Sequence, residues 1–326
     1  MSASLAEPVI AAPSPAGRAK RGGVPVIHAE PPALDPALGG DAALRRIGLA
    51  GLDHLSRNEA AALAGMPGGI HQMRVAARRL RAMMSGFAER LPEDQRHWAA
   101  EELCWLADAL ARARNLDVFE TALLRPVERA SDDPLAFEPL RRAAERQRRA
   151  AHRLVIEAIR SDRYASLIAH LLAWFETCGW RRLDPGMPEP PVGEVAGKIL
   201  RRRWRAAKKR GKEFAEQAPE QRHRLRIALK KLRYTAEATA SLYPPDVVAP
   251  LTARLKRLQD ELGHLNDVRV GHEILAALAS DDGPNRAIAE AGGRMLDWHE
   301  RRLIDREPKL REHLRELFDA QPFWHG

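Results

Sequence analysis

The chain has 326 residues, with 53 Lys and Arg against 44 Asp and Glu and a net charge of +9. A hydrophobic share of 45% beside a charged share of 30% describes a globular chain with a sizeable core and excludes a fibrous or disordered one. Two cysteines, Cys104 and Cys178, exclude a disulfide framework or a four-cysteine zinc site and fit a reducing compartment.

In chain order, residues 1–39 hold seven prolines and little periodicity, and are expected to form a flexible tail. Its short basic run, Arg18, Lys20 and Arg21, reads as a solvated segment rather than a targeting signal. No basic stretch followed by an apolar one opens the chain, so no signal peptide is expected. From Asp41 onward Ala, Leu, Arg and Glu dominate with few β-branched residues, which predicts helices almost everywhere and no strand. Breaks are expected at 65–69, Pro92, 132–134, 179–192, Pro219, Pro244 with Pro245, 281–284 and Pro308. The most apolar window, 167–180, is interrupted by His170 and Glu176 and is too short for a bilayer, so a soluble cytoplasmic protein is expected. The richest break divides the chain into a first helical half at 40–180, a linker at 181–192 and a second helical half at 193–320.

The halves repeat each other. Residues 71–81 read His-Gln-Met-Arg-Val-Ala-Ala-Arg-Arg-Leu-Arg; residues 223–233, at an offset of 152, read His-Arg-Leu-Arg-Ile-Ala-Leu-Lys-Lys-Leu-Arg. Asp108-Ala-Leu-Ala matches Asp260-Glu-Leu-Gly at the same offset, and Asn115-Leu-Asp-Val roughly matches Leu265-Asn-Asp-Val. The repeat predicts a pseudo-twofold, all-α molecule.

At about 100° per residue, His71, Arg74, Arg78 and Arg81 share one helix face, with Met73, Ala76, Ala77, Leu80, Met84 and Phe87 opposite. The second copy places His223, Arg226, Lys230, Arg233 and Tyr234 on one face and Leu225, Ala228, Leu229, Leu232 and Ala236 on the other; Arg79 and Lys231 flank the stripes. A third basic stripe comes from Lys198, Arg201, Arg202, Arg205, Lys208, Lys209 and Lys212. No acid occurs in 71–88 or in 221–236, so the usual i, i+4 neutralisation of a surface helix is missing. One such helix is ordinarily a solvated face, and 44 Arg against 9 Lys fits a GC-rich genome as well as a binding role. Three stripes, two of them repeated, point to an anion site. From His71 to Arg81 the rise is ~15 Å, more than one phosphate fills, so the ligand reads as an extended polyanion. Aromatics make up only 5%, which leaves few platforms for base stacking. A chain of phosphates without bases therefore fits better, with nucleic acid and an acidic or phosphorylated protein as the alternatives.

His-x-x-Arg-Val-x-x-Arg-Arg-Leu-Arg at 71–81, its copy at 223–233 running into Tyr234, and Leu262-Gly-His-Leu-Asn-Asp267 together resemble the CHAD domain, the conserved histidine α-helical domain, over about 40–320. The resemblance implies two helical bundles related by pseudo-twofold symmetry around a basic central surface that binds inorganic polyphosphate. Carried over by position, it implies that His71, Arg74, Arg78, Arg79 and Arg81 line that surface from one half, and His223, Arg226, Lys230, Lys231, Arg233 and Tyr234 from the other. The 198–212 helix resembles the family's further basic helix. The family tends to have Arg-Asp where this chain has Arg114-Asn115, which leaves a charged role at 115 in doubt. Arg114, Asp117, Asn266 and Asp267 read as supporting residues, caps or acids that orient the cations. His71 and His223 either donate to phosphate as imidazolium or hold a neighbouring arginine as neutral imidazole.

No nucleotide-binding loop, nucleophile elbow, zinc-protease motif or acidic metal cluster is present, so a non-enzymatic binding protein without metal or cofactor is expected. CHAD domains can follow a CYTH-type triphosphatase domain marked by Glu-x-Glu-x-Lys. That motif is absent and the 39-residue tail is too short for the domain, so a stand-alone CHAD protein at polyphosphate granules is expected.

Overall fold

The computed structural model describes residues 24–180, 189–280 and 284–325. The run Arg18–Lys20–Arg21, most of the expected linker and residues 281–283 lie outside the described residues. Twelve α-helices carry the described chain, with no β-strand among them; the only pairing of extended backbone is an isolated bridge between Gly39 and Pro191. The helices are α1 (Gly40–Ser56), α2 (Glu59–Leu63), α3 (Pro67–Gly86), α4 (Glu93–Ala109), α5 (Ala111–Val118) and α6 (Arg125–Ala130). They are followed by α7 (Glu138–Ile159), α8 (Asp162–Glu176), α9 (Val192–Gly211), α10 (Pro219–Ala238), α11 (Pro245–Ser280) and α12 (Arg286–Asp319). A π-helical turn, Phe119–Leu124, joins α5 to α6.

Proline and short polar residues set the helix starts. Pro67, Pro219 and Pro245 occupy first-turn positions, where a missing N–H costs nothing. Ser161 Oγ and Asn285 Oδ1 accept from the backbone N–H of Tyr164 and Ile288, each at 3.2 Å. Pro308 does not break the chain: α12 runs through it to Asp319. Pro308 lies on the exposed side of α12, where water can serve the carbonyl it strands, while Leu310, Leu314 and Leu317 stay buried. At ~1.5–3 kcal/mol for each buried leucine, that packing offsets a proline penalty of ~3 kcal/mol.

Three apolar clusters hold the bundle. The first joins α1, α3, α4, α7 and α8 and includes Ile199 of α9. The second joins α9 and α10 to one end of the α11–α12 pair through Leu200, Trp204, Leu229, Leu255 and Leu314. The third packs Phe119, Leu123 and Phe137 against the other end of that pair. The apolar faces read from the sequence are the buried ones: Met73, Ala76, Ala77 and Leu80 on α3, and Leu225, Leu229 and Leu232 on α10, are at most 2% exposed.

Residues 24–39 are a correction to the expected flexible tail. The Ile27 amide donates to Asn58 Oδ1 at 3.0 Å, and Asn58 Nδ2 donates back to the Ile27 carbonyl at 2.9 Å. The Leu34 amide donates to Ser241 Oγ at 2.8 Å, and the Leu34 side chain is buried. Partners up to 207 residues away hold this proline-rich strap, and no local composition signals them.

Helix α3 packs against α10, the first helical half against the second. Arg203, inside α9, spans that contact. Its guanidinium donates to the Lys231 carbonyl at 3.0 Å, to Ser85 Oγ at 3.1 Å and to the Ala82 carbonyl. Gly86 makes room: a Cβ there would stand 3.0 Å from Arg203 Nη2. Burial, then Arg202, lowers the Arg203 pKa to about 10, so it stays charged. Arg203→Ala is expected to lower the unfolding free energy by about 2–4 kcal/mol, through the cavity and the lost donors. Denaturant midpoints measure this, and an unchanged midpoint would show that the contact does not hold the halves together.

Candidate functional site

Helix α3 packs against α10 and α5, and α11 packs against both of those, so the four helices meet around one group of partly buried side chains, the cleft. Arg74 and Arg78 enter from α3, Arg114 from α5, and Arg226 and Lys230 from α10; Asp267 of α11 stands among them. Their mutual effects define the group. Arg74 is lowered to about 10 by burial, then by Arg78 and Arg114, with Arg226 adding to it. Arg226 is lowered by burial, opposed by Asp267, and pressed further by Arg78. Arg114 is lowered by burial against the pull of Asp117 and Asp267.

These cations lack protein partners. No carboxylate lies within ion-pair distance of Arg74, Arg78, Arg114, Arg226 or Lys230 among the described residues. Arg74 Nε and Nη1, Arg78 Nε and Arg226 Nε are shielded from solvent and meet no acceptor. A buried donor without an acceptor costs ~1–3 kcal/mol, and more when charged. Asp267 acts on Arg114, Arg226 and Lys230, while Asp108 pulls on Arg74 and Asp117 on Arg114. Burial raises the Asp267 pKa against the pull of Arg226 and Arg114, and the Asn266 side chain hydrogen-bonds to it.

The two histidines flank the cleft and differ. His71 is pushed down to about 4 by burial, then by Arg114, Arg78 and Arg74, so it is a neutral imidazole at neutral pH. His223 is exposed; its pKa is lowered by burial, then by Arg226 and Arg269, against a hydrogen bond that it donates to Asn266.

Other residues expected at the site lie elsewhere. Tyr234 is 4% exposed, with the guanidiniums of Arg79 and Arg233 over its ring at 5.5 and 5.3 Å, so it is a buried cation–π partner rather than a surface platform. Arg79 and Arg233 both pair with Glu237, Arg233 at 3.3 Å. Glu237 lies just beyond the acid-free run, and only the fold brings Arg79 to it. Arg81 and Lys231 form a separate group with Arg203 and Arg210, displaced from the cleft. Asp117 is fully buried and turned away: Arg148 Nε donates to Oδ1 at 2.7 Å, and His152 Nε2 lies 3.0 Å from it. Arg148 is thereby a partner of a buried carboxylate rather than a plain surface arginine. Helix α9 turns Ile199, Leu200, Arg203, Trp204 and Ala207 inward, so Lys198, Arg201, Arg202, Arg205, Lys208, Lys209 and Lys212 face away from the cleft.

The sequence reading missed Arg203 and Arg269. Arg203 ends a run of three arginines, just before Trp204, and only its place on the apolar side of the α9 wheel marks it. Arg269 is exposed on α11 and acts on both His223 and Arg226. Outside the cleft, a cavity of about 500 Å³ between α11 and α12 is lined by His264, Glu261, Glu300, Arg222, Arg306 and Ile304, a mixed-sign set unlike the cleft. His264 Nε2 lies 3.3 Å from His299 Nδ1, and His299 Nε2 donates to the Leu123 carbonyl at 2.9 Å. The Leu-Gly-His-Leu-Asn-Asp segment thus sends its histidine to α12 and its aspartate to the cleft. Among the described residues, no group of three His, Cys, Asp or Glu could hold a metal ion, and no helix is long and apolar enough to cross a membrane.

Lys230 carries the largest consequence for pH. Burial, then Arg226, Arg78 and Arg74, lower its pKa from 10.5 to about 6, against the pull of Asp267. Between those values the unfolded chain holds a proton that the folded chain does not, so stability rises with pH in that window. Lys230→Met removes this contribution. The variant is expected to be more stable than the parent at pH 7 and to show a flatter stability profile from pH 7 to 9. Parallel profiles for the two proteins in denaturant titrations would contradict it.

A family model described as the CHAD domain matches residues 46–276. The structure superposes on the crystal structure of the CHAD domain from the plant Ricinus communis with a TM-score of 0.79 and 25% identity, covering 92% of this chain and 99% of that one. PptA from Streptomyces chartreusis shares the fold, with a TM-score of 0.64 and 17% identity over 87% of this chain and 100% of that one. In sequence, the chain is 29% identical over 256 residues to the uncharacterised protein Rv2226 of Mycobacterium tuberculosis, an alignment of 77% of this chain and 47% of that protein. The chain thus spans about half the length of the curated relatives it matches. Paired histidine–arginine helices packed in an all-helical bundle, and a match over more than two thirds of the chain, identify it as a member of the CHAD family.

Proposed function

We propose that the cleft between α3 and α10 binds inorganic polyphosphate without turning it over. The observation that carries this is the convergence of Arg74, Arg78, Arg114, Arg226 and Lys230 from three helices, with guanidinium donors that meet no protein acceptor. A string of phosphate oxygens supplies those acceptors and relieves the repulsion. The CHAD resemblance implies the same ligand. Tyr234, the one aromatic expected on this surface, is buried, so base stacking gains no support there. We also propose that the offset of 152 reflects a pseudo-twofold arrangement with α3 and α10 as equivalent helices, and that binding associates the protein with cytoplasmic polyphosphate granules.

The mechanism is electrostatic. Each phosphate that enters displaces counterions and completes a charge-assisted hydrogen bond on a helix that is already fixed. An entering anion also favours the charged form of Lys230, so binding takes up protons near neutral pH.

Five neutralised phosphates predict a log–log salt slope of about −3 to −4, at ~0.7 per contact for a flexible polyanion. Reversing Arg78 and Arg226 together to Glu is expected to abolish binding to the cleft, while Arg149→Glu leaves it intact. Arg149 is exposed on α7 and pairs only with Glu145, which makes it the better control than Arg148. Labelled polyphosphate, competed with unlabelled polyphosphate, DNA, RNA and heparin at matched charge, measures selectivity. Equal competition by all four would replace a selective phosphate-chain site with a general polyanion surface, with nucleic acid among its ligands.

A further inference from the structure

We propose that the outward face of α9 is a second polyphosphate-binding surface, separate from the cleft, so that one protein molecule can hold two strands of the polymer. This rests on the polyphosphate reading of the cleft and adds a site to it.

The separation follows from how α9 is fixed. Arg203 bonds to carbonyls of α3 and α10, which sets the side of α9 that faces them. Arg205 lies about 200° further round the helix, and Lys198, Arg201, Lys208, Lys209 and Lys212 share that far side. A strand lying between α3 and α10 therefore cannot also lie along these side chains. The far side is a continuous stripe: from Lys198 to Lys209 it runs ~16 Å along the axis, and Lys212 follows at the helix's C-cap.

The stripe is under-neutralised in the same sense as the cleft. No acid occurs from Val195 to Lys212 in sequence. Among the described residues no carboxylate pairs with Lys198, Arg201, Arg205, Lys209 or Lys212. Lys208 donates to the Phe318 carbonyl at 3.1 Å, and only Arg202, at the stripe's edge, has an acid, Glu89 at 2.8 Å. Like charges recurring every three or four residues destabilise a helix unless an anion offsets them.

Two other occupants fit less well. A membrane surface would need the apolar face of α9, but Leu200, Trp204 and Ala207 are committed to the core. Single-stranded nucleic acid would need exposed aromatics, and the aromatic side chain of α9, Trp204, is 6% exposed. A flexible chain of phosphates needs neither. With two separated surfaces, a long polymer that reaches both gains by effective concentration, and at high polymer excess one protein links two polymers.

The test uses the full chain and a short polyphosphate of defined length that spans one helix face. Calorimetry is expected to give two sites on the wild type. A variant with K198Q, R205Q, K209Q and K212Q is expected to keep one site with its affinity changed by no more than about twofold, since the surfaces are apart. The R78E and R226E variant is expected to keep the other. All four α9 side chains are exposed, and thermal melting checks that the fold survives. Polymers labelled separately with donor and acceptor dyes are expected to show energy transfer with the wild type and to lose it with either variant. A single site on the wild type, or energy transfer unchanged by the α9 variant, overturns the proposal. A wild type that takes DNA or an acidic peptide on α9 in preference to polyphosphate also overturns it. A wild type that binds no polyphosphate overturns the reading of the cleft itself, and this inference with it.

Discussion

Cations that crowd one cleft repel each other, and the surrounding scaffold has to hold them in place. Arg74, Arg78, Arg114, Arg226 and Lys230 share a partly desolvated space in which Asp267, Asp108 and Asp117 offset only part of their charge. The repulsion is met in two ways. Rigid helices keep their opposite faces in apolar packing, so the side chains cannot separate without unpacking Leu80 or Leu229. One amine, Lys230, gives up its charge at neutral pH when nothing anionic is bound. The fold tolerates the crowding because most of its stability comes from the cores behind the cleft.

The same residue type serves three purposes where α3, α9 and α10 meet. In the cleft, arginine donors are left without protein acceptors. At the junction of the halves, Arg203 spends its donors on the carbonyls of Ala82 and Lys231 and becomes a fastener. At the edge, Arg79 and Arg233 are paid off by Glu237 and cover Tyr234. Composition alone cannot separate these uses, since all are arginines on basic helices. What separates them is whether a carbonyl or a carboxylate lies within reach, and that depends on which helices pack together.

Much of the architecture was legible in the sequence. Periodicity identified the helices and their buried faces, because an amphipathic pattern on a helix has one way to point once a core exists. Pro308 misled because a proline's cost is local while the packing that offsets it is spread along α12. The strap at 24–39 was invisible because its partners, Asn58 and Ser241, are distant in sequence. For the candidate site, the two acid-free basic stripes point to α3 and α10, which pack against each other. The wheel could not say that α9 turns its lysines away from the cleft, nor that Asp117 is buried against Arg148 and His152. Those facts depend on the angle at which one helix meets the next.

The strap and Arg203 also bear on how a chain built in two helical halves can change. A half that kept all its bonds to itself could be lost, exchanged or recombined as a module. Here Leu34, before the first helix, is held by Ser241, after the tenth, and the last turn of α3 is completed by a side chain from α9. Neither half of this chain retains a closed surface of its own. The two halves are mutually dependent parts of one unit, and deletion or shuffling of either would expose the other's unfinished edge.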